Sequence, residues 1–354
     1  LPMKASGSCK IQVINSGEKF PMKKTIGLLF SLSGTISIVG EGQLQAALLA
    51  IDEVNKKGNL QFESVIRDAK SEPSTAAQEA YSLFSDAKID AMVGCYMSSL
   101  RNSIKPVLNE TKGLFLYPTL YEGEPFHPNI IYLGAVPNQQ VEPLLSWATN
   151  CVSDNFVLVG SDYVYPRSTN RQVRQWVENA GGNVYLETYF PLGFTKFDDF
   201  LKKLRSLCTK VSSLVVFSTI VGNSVVSFYK EYKRKKIPFP IISPITSERE
   251  IQSIGKGVSS GHICASPYFE TIETEMNTRF IRAFKRRFGD QPISREMAVT
   301  YDAIHLLASA YKRISSVPWG KNETEKVRMC LKTLSFQGVQ VSILIDSQSQ
   351  LLWQ

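Results

Sequence analysis

Tyr96, Ser98 and Ser99 fall in the stretch GCYMSSLRNSI (94–104), where an apolar run ends and the apolar positions change to helical spacing at Leu100, Ile104, Val107 and Leu108. A helix begins with N–H groups that lack intrahelical acceptors, and its dipole favours electron-rich groups there. Serine hydroxyls at such a point can hold a carbonyl or carboxylate oxygen, and a tyrosine ring supplies a flat apolar wall. An N-cap role accounts for Ser98 but not for the tyrosine beside it. The ends of the other apolar runs carry the same residue types: Ser31 to Thr35, Tyr117 to Tyr121, Ser161 to Tyr165, Ser218 to Gly222, Pro244 to Glu248 and Pro267 to Phe269. Neutral donors, acceptors and aromatic walls are the chemistry of holding a small polar molecule.

Bond-making chemistry finds less support. His127 lies in a Pro-flanked loop, His262 precedes an apolar run and His305 sits inside an amphipathic segment, and none has metal-pair spacing. There is no GxSxG elbow. SIGKGVSSG (253–261) lacks the spacing of a phosphate loop, and SLSGTISIVGEG (31–42) lacks that of a dinucleotide fingerprint. The six cysteines, Cys9, Cys95, Cys151, Cys208, Cys264 and Cys330, are widely spaced without a metal pattern, and one or two disulfides stay open to an oxidising compartment. The expectation is a binding protein rather than an enzyme, with no cofactor and no metal.

The elements that position these residues alternate. TIGLLF (25–30), FESVIRD (62–68), DAMVGC (90–95) and GLFLYP (113–118) read as strands, separated by helices near 41–57, 73–86 and 98–111. The alternation restarts after 150 with NFVLVGSDY, NVYLETYF, SLVVFST, FPIISP and GHICASPYF, interleaved with helices near 168–180, 197–207 and 221–235. Helices at 273–288, 294–313 and 324–333 follow, then short strands in VQVSILI and LLW. Continuous apolar strands between helices imply parallel sheets covered on both faces. With 354 residues, 43% hydrophobic and 20% charged, the fold class is α/β: two doubly wound parallel-sheet lobes. In such sheets ligands bind beyond the carboxyl ends of the strands, where the Ser, Thr and Tyr residues cluster.

The formal charge is +8, with basic clusters in KEYKRKK (230–236) and KRRF (285–288). Both lie on amphipathic helices and read as solvated faces, so no nucleic-acid partner is expected. No apolar run approaches the ~20 residues of a membrane span. The chain opens on Leu1, as a processed chain or a piece of a longer one would, and Cys9 makes a poor lipid-attachment box.

The blocks GCYMSS, LYPTLYEG, PNIIYLGAVPNQQ, VGSDYVYPRSTN, VVFSTIVGNS and TSERE resemble, in order from Met22 to Arg313, one branch of the type I periplasmic binding proteins. That branch holds the amide receptor of bacterial amidase operons and the urea- and short-amide-binding proteins of ABC importers. The resemblance implies an N-terminal extension (1–21), a first lobe from 22–137 plus 269–335, and a second from 138–268 plus 336–354. Crossovers are implied near Val136 to Gln139, Ser266 to Glu270 and Ser335 to Gly338, with the ligand closed between the lobes by hinge bending. It implies that Ser98 and Thr119 hold the ligand's polar head and that Tyr96, Tyr117 and Tyr163 wall it in. Ser99, Tyr165, Thr219, Val221, Thr246 and Tyr268 complete the expected site.

The implied ligand is urea or a short amide, delivered to an ABC permease from a periplasmic or membrane-anchored protein. Small neutral amino acids are the alternative, with Glu122, Asp162 or Glu248 opposite the ammonium. A sensor of the amide-receptor type, cytoplasmic or with a signalling partner, is the alternative role.

Overall fold

The computed structural model describes residues 21–123, 126–315, 322–340, 342–345 and 352–353. The N-terminal extension expected before residue 21 and part of the closing strands lie outside them.

The first lobe opens with β1 (Met22–Phe30), α1 (Ser37–Lys56), β2 (Leu60–Asp68), α2 (Pro73–Ser85), β3 (Ala91–Gly94), α3 (Ser98–Thr111), β4 (Phe115–Tyr117) and β5 (Ile130–Tyr132). Its five strands are all parallel, in the order β2-β1-β3-β4-β5. The chain then runs through α4 (Pro137–Cys151), β6 (Asn155–Ser161), α5 (Val164–Asn179), β7 (Asn183–Phe190), α6 (Asp198–Leu207), β8 (Val215–Thr219), α7 (Asn223–Arg234), β9 (Ile241–Ser243), α8 (Glu248–Ile254), α9 (Lys256–Ser259) and β10 (Ile263–Cys264). These strands form a second parallel sheet, ordered β7-β6-β8-β9-β10. Last come α10 (Glu275–Phe288), α11 (Arg295–Ser315), α12 (Glu323–Leu331) and an antiparallel sheet of β11 (Ser335–Gln337), β12 (Ser342–Ile345) and β13 (Leu352–Trp353).

Apolar patterning explains the layers. The last five residues of β1 and all of β8 are buried, as strands covered on both faces must be. On one face of the first sheet, Ala46, Ala50, Ile51 and Val54 of α1 pack with Phe280 and Phe284 of α10 and Ile304 and Leu307 of α11. Its other face carries Ala76, Ala80 and Leu83 of α2 and Leu100, Ile104 and Leu108 of α3. The second sheet is covered by α6 and α7 on one side and by α4 and α5 on the other. The basic run of α7 lies opposite its buried Phe228, Tyr229 and Tyr232, and Arg234 and Lys235 both pair with Asp198.

β5, α4, α8, α9 and β11 were not read from the sequence, and the short α9 lies in the SIGKGVSSG stretch that lacks helical patterning. β5 is only three residues long, and α4 carries prolines at its first and seventh positions, which blurs a helical pattern. Pro137 at the first turn is nevertheless a good helix start. α1 begins four residues earlier than its apolar stripe indicates, because its first turn includes Ser37 and Gly40. The five described cysteines, Cys95, Cys151, Cys208, Cys264 and Cys330, are unpaired.

The lobes touch across a narrow front. Leu120 and Ala135 of the first meet Tyr165, Val221 and Ile245 of the second in a small apolar cluster. Burial of a large apolar side chain contributes about 1.5–3 kcal/mol, so separating this patch costs far less than unfolding either lobe. Gln172 Nε2 donates to the Glu122 carbonyl at 2.8 Å, and Arg295 Nη1 donates to the Pro244 carbonyl at 2.9 Å. Gly222, at φ +64°, comes so close that a Cβ there would lie 2.4 Å from the Thr35 carbonyl oxygen of the other lobe.

Replacing Gly222 by alanine therefore acts on closure rather than on either core. Strain of this kind costs of order 1–3 kcal/mol, and Gly222→Ala is expected to hold the lobes apart. Small-angle scattering should show a larger radius of gyration, with little change in helix content by circular dichroism. Scattering identical to that of the unmutated protein would contradict this.

Candidate functional site

Both sheets reverse their winding direction once, between β1 and β3 and between β6 and β8. At such a switch point neighbouring loops diverge and leave a crevice beyond the carboxyl ends of the strands. A cavity between the lobes is lined by Tyr96 and Ser98 after β3, Thr119 and Leu120 after β4, Tyr163 and Tyr165 after β6, and Ile245 after β9. It is nearly shut: the space open to the centre of a water-sized sphere is about 10 Å³, room for about one water molecule. Larger hollows of about 520 and 280 Å³ open on the outer surface at Lys233, Lys236 and His262 and at Lys112, Asn322 and Arg328. They lie at the amino ends of strands, before β9 and β10 and before β4 and β5, and gather no carboxyl ends, so they are not the site.

Each wall is built locally. Gly94 ends β3 at φ +155°, and a Cβ there would lie 2.0 Å from the Leu29 carbonyl oxygen. The glycine thus lets β3 run close against β1 before the chain turns into α3. The N-cap of α3 is Met97, and no side chain caps it. Ser98 is the first helical residue rather than the N-cap. Its hydroxyl donates to Glu122 Oε2 at 3.0 Å, and the Thr119 hydroxyl donates to the Cys95 carbonyl at 3.1 Å.

Behind Ser98 lies a fully buried ion pair. Arg101 Nη2 reaches Glu122 Oε1 at 2.6 Å and Nη1 reaches Oε2 at 3.1 Å, with both side chains at 0% exposure. The guanidinium carbon sits 5.2, 5.0 and 5.9 Å from the ring centres of Tyr117, Tyr121 and Tyr132, close enough for cation–π attraction. Sequence reading missed Arg101, although its place one turn after Ser98 on the same helix puts both on one face.

The other expected site residues occupy different positions. Tyr117 is buried one layer back and donates its hydroxyl to the Tyr96 carbonyl at 2.6 Å. Thr219 donates to Asn170 Oδ1 at 3.0 Å behind the second-lobe wall, and Thr246 to Ser243 Oγ at 3.0 Å. Val221 joins the interlobe apolar cluster. Tyr268 belongs to the first-lobe core, its hydroxyl donating to Asn277 at 2.8 Å. Ser99 is half-buried in the first turn of α3 and does not line the cavity.

The carboxylates considered as ammonium partners are occupied. Glu122 is held by Arg101 and Ser98, and Asp162 is an exposed partner of Arg167 at 2.6 Å. Glu248 accepts the Glu270 N–H at 3.3 Å. Glu250, within the TSERE block, accepts from the Ser247 N–H at 2.8 Å and the Ser247 hydroxyl at 3.1 Å. Arg295 grips Glu296 Oε1 from the first turn of α11. Burial, with added repulsion from Tyr163, Glu296 and Glu250, holds the Tyr96 phenol well above its ordinary pKa. Tyr96 therefore stays a neutral hydroxyl.

Among the described residues no group of histidines, cysteines and carboxylates could hold a metal ion, and no described helix is long and apolar enough to cross a membrane. Two doubly wound lobes around a small polar cleft define a class of bilobal solute-binding proteins. A family model described as a periplasmic binding protein domain matches residues 24–354, and the chain belongs to that family.

Among curated proteins it is 22% identical over 335 residues to the leucine-, isoleucine-, valine-, threonine- and alanine-binding protein of Pseudomonas aeruginosa, covering 92% of this chain and 86% of that one. It is 21% identical over 310 residues to Leu/Ile/Val-binding protein homolog 8 of Brucella abortus, covering 78% and 72%. Among solved structures it matches the branched-chain amino acid transporter substrate binding protein of Streptococcus pneumoniae, in complex with isoleucine, at a TM-score of 0.78 and 21% identity over 92% of each chain. The solute binding protein of an ABC transporter from R. palustris, in complex with benzoate, matches at a TM-score of 0.83 and 17% identity over 94% of this chain and 91% of that one. At these identities the structural matches establish the fold.

Burial raises Glu250 from 4.5 to about 7, so between those pH values the folded protein holds a proton that the unfolded chain has released. The stability linked to Glu250 therefore falls as pH rises through that window. Glu250→Gln should flatten the decline in urea-unfolding free energy between pH 5 and pH 8. Equal declines in the two proteins would contradict the assignment.

Proposed function

We propose that this protein is an extracytoplasmic solute-binding protein, not an enzyme, that closes on a small uncharged polar guest and passes it to the permease of an ABC importer. The guest is urea or a short-chain amide, as in the amide-receptor branch of the family. The lobes divide as 22–137 plus 269–335 and 138–268, and the expected assignment of the segment after 335 to the second lobe is corrected, because Phe336 and Val339 pack against the first-lobe core and the Val339 N–H donates to Asp302. The transport role draws on the solute- and amino-acid-binding proteins that the chain resembles.

The observation that carries the ligand class is the lining of the cleft. Tyr96, Ser98, Thr119, Leu120, Tyr163, Tyr165 and Ile245 bear no charge, while Glu122, Asp162, Glu248 and Glu250 are engaged elsewhere. A zwitterion taken into such a space keeps an ammonium without a partner, which is costly, whereas a neutral planar head needs only hydrogen bonds. Tyrosine faces exclude water from those bonds and strengthen them.

A small neutral amino acid is the second reading. It is favoured by the named ligands of the relatives and by Glu250 and Glu296, which lie near enough to Tyr96 for their charges to act on its phenol.

A thermal-shift screen over urea, acetamide, butyramide and neutral amino acids separates the two. Melting should rise with the amides or urea, and a response confined to amino acids would reverse the order of the readings. Ser98→Ala and Tyr163→Ala should each weaken binding of the guest found by about tenfold or more, equivalent to ~1.4 kcal/mol, by calorimetric titration with melting largely retained. Wild-type affinity in both variants would contradict the site.

A further inference from the structure

Resting on this reading of the cleft, we propose that the buried Arg101–Glu122 pair is a positioning device. It fixes the direction of the Ser98 hydroxyl, so that this hydroxyl accepts from the guest's N–H rather than donating to its oxygen.

The direction follows from what each partner can do. A carboxylate gripped by both arms of a guanidinium offers lone pairs to its other neighbours, so the 3.0 Å contact between Ser98 and Glu122 uses the serine's proton. The Tyr117 phenol oxygen is the other acceptor near Ser98. It is already the donor to the Tyr96 carbonyl, and a phenol oxygen competes poorly with a carboxylate. Thr119 is constrained in the same way, because its 3.1 Å partner, the Cys95 carbonyl, can only accept.

The Ser98 and Thr119 hydroxyls thus turn lone pairs to the guest, while the Tyr96 phenol, which also lines the cavity from this lobe, keeps its proton. A donor comes from the backbone: the N–H of Ser98, in the first turn of α3, lies ahead of the first intrahelical bonds, which start at Leu100 and Arg101. A head group with one oxygen and an adjacent NH2 matches both sets, whereas a ketone of the same shape leaves the hydroxyl oxygens unpaired. Closure reaches the same residue, since Gln172 of the second lobe donates to the Glu122 carbonyl.

Acetamide and acetone share shape, carbonyl and neutrality but differ in the N–H donors, so their affinity ratio reads the polarity of the wall. In the unmutated protein, acetamide should bind about tenfold or more tighter than acetone, as a site built to pair with a donor rejects an analogue without one. In Glu122→Gln, Arg101 claims the amide oxygen and leaves an NH2 facing Ser98. The serine proton is then released into the cavity and the ratio should collapse towards parity. Arg101→Lys keeps the charge but not the fork, and its ratio should fall between; it decides the matter if Glu122→Gln does not fold.

A merely structural role would weaken both guests together, so an unchanged ratio in either folded variant overturns the proposal, as does a wild-type ratio near one. Binding of neither guest, nor of urea or any amino acid, would overturn the solute-binding reading itself and this inference with it.

Discussion

A parallel strand ends where its backbone polar groups must find new partners, and both sheets bring those ends to one place. The order that starts from β1 and β6 and winds outward in both directions leaves a gap at each switch point. Every residue lining the interlobe cavity comes from a segment that follows a strand. The cleft is therefore a consequence of sheet order, and the side chains at the strand ends decide only what it holds.

Two kinds of packing then share the work. Large apolar cores on both faces of each sheet make the lobes rigid, whereas the front between lobes is a handful of side chains, a few hydrogen bonds and one glycine against a backbone carbonyl. A small, partly polar interface of this kind can separate and reform without disturbing either core. The nearly filled cavity shows the two halves pressed together. The buried Arg101–Glu122 pair belongs to the rigid part. Removing one partner of such a pair costs about 3–5 kcal/mol, so it serves as a fixed support for the wall of the cleft rather than as a moving part.

Much of this is legible in the sequence alone. Apolar runs such as VVFST and TIGLLF, alternating with 3.6-residue periodicity, gave the parallel sheets and their helices, and the strand-end rule led to Tyr96, Ser98, Thr119, Tyr163 and Tyr165. Short or proline-bearing elements escaped: β5 has too few residues to show a pattern, and α4 carries an internal Pro143. The residues behind the cleft escaped for another reason. Arg101 reads as an ordinary solvent-facing helix residue, and only the folded chain shows that Glu122, 21 positions later, meets it at 0% exposure. Thr219, Thr246 and Tyr268 carry the expected chemistry, but their hydroxyls are spent on Asn170, Ser243 and Asn277. Leu120 and Ile245 line the cavity without a polar group that would mark them.

The central claim is that the lobes enclose one uncharged guest with its oxygen at the start of α3 and its N–H groups on Ser98 and Thr119. A high-resolution crystal structure of the protein grown with acetamide tests this most directly. The account predicts a single molecule between Tyr96, Tyr163 and Tyr165, its carbonyl facing the Ser98 amide and its nitrogen within hydrogen-bond reach of the Ser98 and Thr119 hydroxyl oxygens. Density for acetamide only outside the cleft, or a guest held by a charged side chain there, would contradict it.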